Sequence, residues 1–283
     1  MSKAIGILHP GEMGISLAAT AVNSGMTVCW CAQGRSDTTR IRAGQLGITS
    51  IPTLQEICDT CDILVSVCPP HAATELADNV IACNYKGLFA DVNAIAPATV
   101  KAIDMKMQQH AIDFVDGGII GLPATRPGTT WLYLSGQKAE DIAACFNKGP
   151  LETEVLGNEI GQASGLKMCF AANSKGTAAL HTAILSAAEV MGVRQALEKQ
   201  WDIYTPGFKE KSQGRIRQVA RKAWRFTGEM KEIEDTLAAT GLPEGFFKAA
   251  AEIYDRQAFF KGAMEEPSIE DVLQKVNKKE ANT

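Results

Sequence analysis

The chain has 283 residues, 46% hydrophobic, 21% charged and 6% aromatic, which suits a globular protein long enough for two domains. A net charge of -4 offers no basic surface for a nucleic-acid backbone, so no nucleic-acid partner is expected. No apolar run approaches the roughly 18 residues of a membrane-spanning helix, and no membrane partner is expected. The apolar start after Met1 stops at His9-Pro10-Gly11, too early for a signal peptide, so the expected compartment is the cytoplasm.

Ala4 to Leu8 reads as a buried strand, followed by a glycine turn and a helix from about Gly14 to Asn23. Further strands are predicted at Thr27 to Cys31, Asp62 to Cys68 and Leu88 to Val92, the last ending at Asn93-Ala-Ile-Ala-Pro97. Asp113 to Asp116, Trp131 to Ser135 and Glu154 to Leu156 complete the set. Continuous apolar strands spaced by helices indicate an α/β, doubly wound, mostly parallel sheet covered on both faces. After Gly157 the pattern changes. Ile160 to Met191 has no proline and a helical period, and helical stretches continue to the C-terminus, broken at Tyr204-Thr-Pro-Gly and Gly241-Leu-Pro. Two domains are expected: 1–158, cofactor-binding, and 159–283, an all-helical substrate and dimerisation domain opened by a long helix. The polar tail after Pro267 is expected to fray.

Eight cysteines are present, and Cys58 with Cys61 forms a CxxC. A structural zinc site needs four clustered ligands, and no second CxxC or His pair stands at suitable spacing, so no metal site is expected. The thiols read as reduced, small hydrophobic residues.

His9-Pro10-Gly11-Glu12-Met13-Gly14 follows the first strand and opens the first helix. In a Rossmann dinucleotide fold the second glycine of this loop lets backbone approach the pyrophosphate. The third allows close helix packing, and the phosphates sit on the helix N-terminus. Gly11 and Gly14 fill those places, while His9 stands at the first glycine position. An NAD site usually has an acidic residue at the end of the second strand. Here the chain reads Ala32-Gln33-Gly34-Arg35-Ser36, so Arg35 and Ser36 are assigned to a 2′-phosphate, with Arg40 adding charge. The expected cofactor is NADP(H) in preference to NAD(H).

Several segments resemble the β-hydroxyacid dehydrogenase family, which contains 3-hydroxyisobutyrate and 6-phosphogluconate dehydrogenases. Met13-Gly14 resembles the end of its glycine loop, and Val67-Cys68-Pro69-Pro70 its loop beside the nicotinamide. Asp91-Val-Asn93-Ala-Ile-Ala-Pro97 is similar to its D-x-S-x-x-x-P substrate motif, and Gly161 to Met168 to the helix carrying its catalytic lysine, here Lys167. The combination with Lys175-Gly176 and Gly228-Glu-Met-Lys-Glu-Ile233 is similar to a phosphogluconate-dehydrogenase-like branch whose C-terminal domain has no assigned function. The resemblance implies a Rossmann domain, a long helix, an all-helical domain and a homodimer. Two departures stand out. Ala171 occupies the place of an Asn one turn after the lysine, and Ile120 that of a substrate-binding serine in Asp116-Gly-Gly-Ile-Ile120-Gly121.

Hydride transfer to a carbonyl leaves negative charge on oxygen, and a lysine shielded from water can supply the matching proton. Lys167 is assigned that role, and Asn93, at a strand's C-terminal end where doubly wound folds bind ligands, is expected to orient the reacting oxygen. Helical spacing puts 167, 171, 174 and 175 on one face, so Ser174 and Lys175, with Gly121 and Trp224, are candidates for substrate contact. His71 is a weaker candidate for such a contact, beside a plain role in capping the next helix. His181 reads as a core or interface residue, and His110 as a helix-end residue. The basic stretch from Lys209 to Lys222 reads as a solvated helix face. The leading expectation is an NADP-dependent oxidoreductase acting on a small, carboxylate-bearing hydroxy or carbonyl compound. Imine reduction on the same scaffold, and a non-catalytic NADPH sensor, are the alternatives.

Overall fold

The computed structural model describes residues 3–278. Contacts divide the chain into two compact units that part between Met168 and Cys169.

The first unit is built on an eight-stranded sheet: β1 (Ala4–Ile7), β2 (Thr27–Cys31), β3 (Thr49–Ile51), β4 (Ile63–Ser66), β5 (Leu88–Asp91), β6 (Asp113–Gly121), β7 (Thr130–Ser135) and β8 (Leu151–Gly157). The strand order is 3-2-1-4-5-6-7-8, parallel throughout except where β6 meets β7. Alternation along each strand sorts side chains into two cores. Ile5, Ile7, Val28, Trp30, Ile63, Val65, Leu88 and Ala90 pack with α1 (Glu12–Asn23). Cys29, Cys31, Leu64, Phe89 and Phe114 pack on the other face. That face is covered by α3 (Leu54–Thr60), α4 (Ala73–Ala82) and α5 (Pro97–Gln109), after α2 (Asp37–Leu46) has connected β2 to β3. Short apolar strands thus form because both of their faces are buried. Each fully buried Leu, Ile or Phe contributes about 1.5–3 kcal/mol. A short helix, α6 (Ala139–Ala144), closes the unit beside β7 and β8.

Two strands differ from the sequence expectation. β3 has one apolar residue, Ile51, in three positions and carries no period to detect. β6 runs five residues past Asp116, from Gly117 to Gly121, because that stretch pairs antiparallel with β7, Gly117 opposite Leu134 and Gly121 opposite Thr130. Glycines there hid the strand, since they weaken strand propensity yet permit close approach.

The predicted long helix is three pieces: α7 (Gln162–Ala171), a π-helical turn (Ala172–Gly176) and α8 (Thr177–Val190). In the second unit α8 is followed by α9 (Arg194–Tyr204), α10 (Phe208–Ala220), α11 (Ala223–Ala239), α12 (Gly245–Gln257) and α13 (Ile269–Asn277). The expectation of a fraying tail after Pro267 is corrected by α13. Ser268 caps it by accepting from the Asp271 amide, and Ile269, Val272, Leu273 and Val276 bury against Leu185 and Ile216. Spacing of three and four residues makes a narrow apolar stripe inside a polar composition. The last residues, 279–283, lie outside those described.

Candidate active site

The loop after β1 is shaped by two glycines with different tasks. A Cβ on Gly14 would lie 2.1 Å from the His9 carbonyl oxygen, so only glycine lets α1 begin there. Gly11 faces open space, caps α1 without a side chain and donates its amide to the His9 carbonyl at 2.8 Å. The first amides of α1 therefore have no side-chain cap, and Pro10 and Glu12 flank this opening. His9, at the first glycine position, keeps a buried Nδ1 without a partner. Burial first, and the Arg35 guanidinium second, hold its imidazole down to about 4, so it is neutral at physiological pH.

At the end of β2, Gly34 adopts φ +68, a left-handed turn that suits glycine. Arg35 donates from Nε to the Gln33 carbonyl at 3.0 Å. Ser36 caps α2 by accepting from the Thr39 amide, so its hydroxyl already has a local partner. Arg40 donates to the Ala32 carbonyl at 2.9 Å and ties α2 to the strand end. Of the residues expected at a 2′-phosphate, Ser36 thus caps α2, Arg40 braces α2 to the strand end, and Arg35 holds a local bond through Nε.

Asn93 lies just beyond β5 and is only 3% exposed. Its Nδ2 donates to Ser66 Oγ at 2.8 Å and to Asp91 Oδ2 at 2.9 Å, and its Oδ1 accepts from the Cys68 amide. Both N–H bonds are taken by protein oxygens. These bonds give Asn93 a structural task beside the expected one of orienting the reacting oxygen. Its amide pins the Cys68-Pro69-Pro70 loop to the end of β5, with Pro70 opening a short 3-10 turn over Pro70–Ala72. Burial first and the Asp91 carboxylate second, against the Ser66 hydrogen bond, push the Cys68 thiol up to about 11, which favours its protonated form.

Lys167 stands on α7, half-buried against β6. Its Nζ donates to the Ile119 carbonyl at 2.7 Å. Gly118 makes the approach possible: a Cβ there would lie 2.7 Å from the Ala163 carbonyl oxygen and 3.0 Å from Lys167 Cβ. Ile119 lies beyond the last residue of β5, since Asp91 pairs with Asp116, so the ammonium sits past the C-terminal edge of the parallel strands. Asn93 approaches the same edge from the neighbouring strand. Sequence reasoning missed the partner of this lysine, a main-chain oxygen, and missed Asp116. Paired glycines after a buried Asp were the available signal.

In the second unit, Lys175 forms an ion pair with Glu229, both largely shielded, and its ammonium lies 4.6 Å from the Phe226 ring centre. Lys175 is thus engaged inside its own unit. Ser174 lies in the π turn, where the spacing of an α-helix no longer runs, so the single-face expectation for 167, 171, 174 and 175 fails there. Trp224 is exposed, with Arg225 and Lys261 over its ring. His181 meets Ser212 Oγ at 3.2 Å and packs on Trp201 and Phe208, a satisfied histidine. His71 is exposed within the 3-10 turn. Gly121, at the end of β6, adopts φ +129, with the Thr129 carbonyl oxygen 2.5 Å from where a Cβ would lie.

The eight cysteines are free thiols, and among the described residues no His, Cys, Asp and Glu group could hold a metal ion. No helix among them is long and apolar enough to cross a membrane. The open Gly11, the uncapped start of α1 and the cationic Arg35 fit a dinucleotide.

Comparison with known proteins agrees with this geometry. Residues 4–146 match the family described as the NAD binding domain of 6-phosphogluconate dehydrogenase, and residues 188–257 match a domain of unknown function, DUF1932. The conserved protein MTH1747, of unknown function and structurally similar to 3-hydroxyacid dehydrogenases, is 28% identical with a TM-score of 0.70. The match covers 91% of this chain and 97% of that one. Mycobacterium tuberculosis 3-hydroxyisobutyrate dehydrogenase with L-serine shares the fold at 18% identity and a TM-score of 0.71, over 98% and 100% of the two chains. An imine reductase from Myxococcus stipitatus, in complex with NADP+, does so at 20% identity and a TM-score of 0.56, over 97% and 100%.

Proposed function

The chain belongs to the β-hydroxyacid dehydrogenase family of NAD(P)-dependent dehydrogenases and reductases, and from that premise we propose that it transfers hydride between NADP(H) and a small, carboxylate-bearing hydroxy or carbonyl compound. The observation that carries this reading is Lys167, held on the Ile119 carbonyl of β6 just past the level at which its parallel neighbour β5 ends. Ligands of doubly wound sheets bind at that edge.

The residues divide the work by position. Gly11 and the first amides of α1 would hold the pyrophosphate, Arg35 the 2′-phosphate, and the Cys68-Pro69-Pro70 loop the nicotinamide. The nicotinamide supplies or takes the hydride. Lys167 Nζ gives a proton to the carbonyl oxygen as that oxygen gains negative charge, and receives it when an alcohol is oxidised. Asn93 acts at one remove, keeping the Cys68 loop in place. Ile120, where the resembled family carries a substrate-binding serine, brings no hydrogen-bonding side chain, which favours a substrate other than 3-hydroxyisobutyrate.

The test is NADPH oxidation across a panel of aldehydes, keto acids and imines, with wild type and Lys167→Ala. Carbonyl reduction that falls about 10²- to 10⁴-fold in the variant, with NADPH affinity retained, is expected. Near-full activity of Lys167→Ala removes the lysine from the mechanism. Turnover of imines alone moves the reading to imine reduction, and tight NADPH binding with no turnover moves it to a cofactor sensor.

A further inference from the structure

Asp116 is completely buried, on β6 beside β5, and no charged side chain neutralises it among the hydrogen bonds it makes. Its carboxylate accepts four. Oδ2 takes the Gly161 amide at 2.9 Å, the Ser164 amide at 3.1 Å and Ser135 Oγ at 3.0 Å, and Oδ1 takes Ser164 Oγ at 2.6 Å. Ser135 Oγ in turn accepts from the Ala163 amide at 3.2 Å. The amides of Gly161, Ala163 and Ser164 stand at the start of α7 and need acceptors, since the first N–H groups of a helix have none within it. Asp116 and Ser135 supply them from neighbouring strands of the sheet. Burial pushes the Asp116 carboxyl above its ordinary range, and the hydrogen bonds from Ser164, Ser135 and Gly161 act against that push.

We propose that Asp116 is a positioning residue for Lys167: as a cap supplied from β6, it fixes the height and rotation of α7 and so the place of the ammonium. This rests on the reading of Lys167 as the acid and base of the reaction. Lys167 is three residues beyond Ser164, about one turn on, so a rotation at the cap moves the ammonium along β6. Its bond to the Ile119 carbonyl spans from the same helix to the same strand that Asp116 joins. The helix and strand are therefore fastened twice, once at the buried cap and once at the reactive end. With Gly118 leaving no room for a Cβ between them, a small loss at the first fastening is transmitted to the second.

The experiment uses reductively ¹³C-methylated full-length protein, in which the Lys167 signal is assigned by its absence from Lys167→Arg. Asp116→Asn presents an amide NH2 or a single oxygen to several donors. Ser164→Ala removes one bond and keeps the carboxylate and the backbone cap, so it serves if the first variant does not fold. In either variant the Lys167 signal is expected to shift and its pH titration to be displaced. Hydrogen exchange across 161–168 should rise by at least about tenfold, the scale of one lost charged hydrogen bond. NADPH affinity should stay at the wild-type value. Met107→Ala, a core change at the far end of α5, should lower the melting temperature without moving the Lys167 signal. A Lys167 signal unmoved in both cap variants, or moved equally by Met107→Ala, overturns the proposal. Neither readout needs turnover, so activity retained by Lys167→Ala would overturn the catalytic reading and leave the Asp116 result standing.

Discussion

The Lys167 ammonium donates a 2.7 Å hydrogen bond to the Ile119 carbonyl oxygen, across the surface of a strand whose next inward residue is glycine. Helix and strand meet this closely because Gly118 has no side chain. A functional group is thereby placed by packing as much as by its own hydrogen bond.

Gly118→Ala should separate the two. The added Cβ would meet the Ala163 carbonyl oxygen at 2.7 Å, which is backbone and cannot swing away. Overpacking of this kind costs about 1–3 kcal/mol, and thermal melts should show a drop of roughly 2–4 °C for each kcal/mol. Carbonyl reduction should fall while NADPH still binds. An unchanged melting temperature would mean that α7 tolerates displacement and that the close approach is not needed.

Arg35 stands at the end of β2 and engages the Gln33 carbonyl through Nε, whereas Ser36 caps α2 and Arg40 braces it. Arg35→Ala should weaken NADPH relative to NADH by about 10- to 150-fold, the scale of a charged hydrogen bond of 1.5–3 kcal/mol. Fluorescence titration of both cofactors measures it. Equal dissociation constants for the two in wild type would dismiss the 2′-phosphate site outright.

Asn93→Ala strips the Cys68 amide of its acceptor and removes the side-chain donor to Ser66 and to Asp91 Oδ2, while the residue 93 amide still donates to Asp91 Oδ1. Each buried group left unsatisfied costs about 1–3 kcal/mol. Lower stability and weaker NADPH binding are expected together, because the loss falls on the loop assigned to the nicotinamide. A variant that loses turnover alone, with stability and NADPH affinity intact, would return Asn93 to the substrate.

Two buried groups should impose opposite pH slopes on stability. Burial, against hydrogen bonds from Asn93, pushes the Asp91 carboxyl up to about 7 from an ordinary 3.8. Its contribution is full below 3.8 and is lost as pH rises through about 7. The His9 imidazole is lowered to about 4 from 6.5, so its contribution is present above 6.5 and lost as pH falls through about 4. Between these limits the slopes oppose one another. Asp91→Asn should therefore gain stability relative to wild type as pH rises from about 4 to 7, by up to about 1.4 kcal/mol per pH unit. Urea denaturation at a series of pH values reads the difference, and a flat difference across that window would contradict a raised Asp91.

The parallel strands were legible because continuous apolar runs such as Ile63–Ser66 have no other use than burial on both faces. The helical second unit was legible from the absence of proline in 160–191 and the change of period after Gly157. β3 and the glycine half of β6 were not, since neither carries an apolar alternation. The π turn was hidden too, because a single wide turn leaves composition unchanged and alters only the phase of the helix after it. α13 was overlooked because four apolar residues in a polar tail count for little until their spacing is set against a core.

By itself the sequence determined the α/β class, the glycine loop that opens α1, the missing acidic residue at the end of β2 and the lysine worth testing. These are local properties: strand burial, a turn only glycine can make, and one residue's chemistry are all set by a short stretch of chain. Tertiary structure decided which polar atoms remain available. Asn93 was joined to Ser66 and Cys68 from β4 and the loop after it, and Lys167 to a backbone oxygen 48 residues away. Asp116 became the cap of a helix whose first turn is equally distant in sequence. A hydrogen-bonding group has a fixed valence but no fixed partner, and the partner is chosen only when the strands and helices come together.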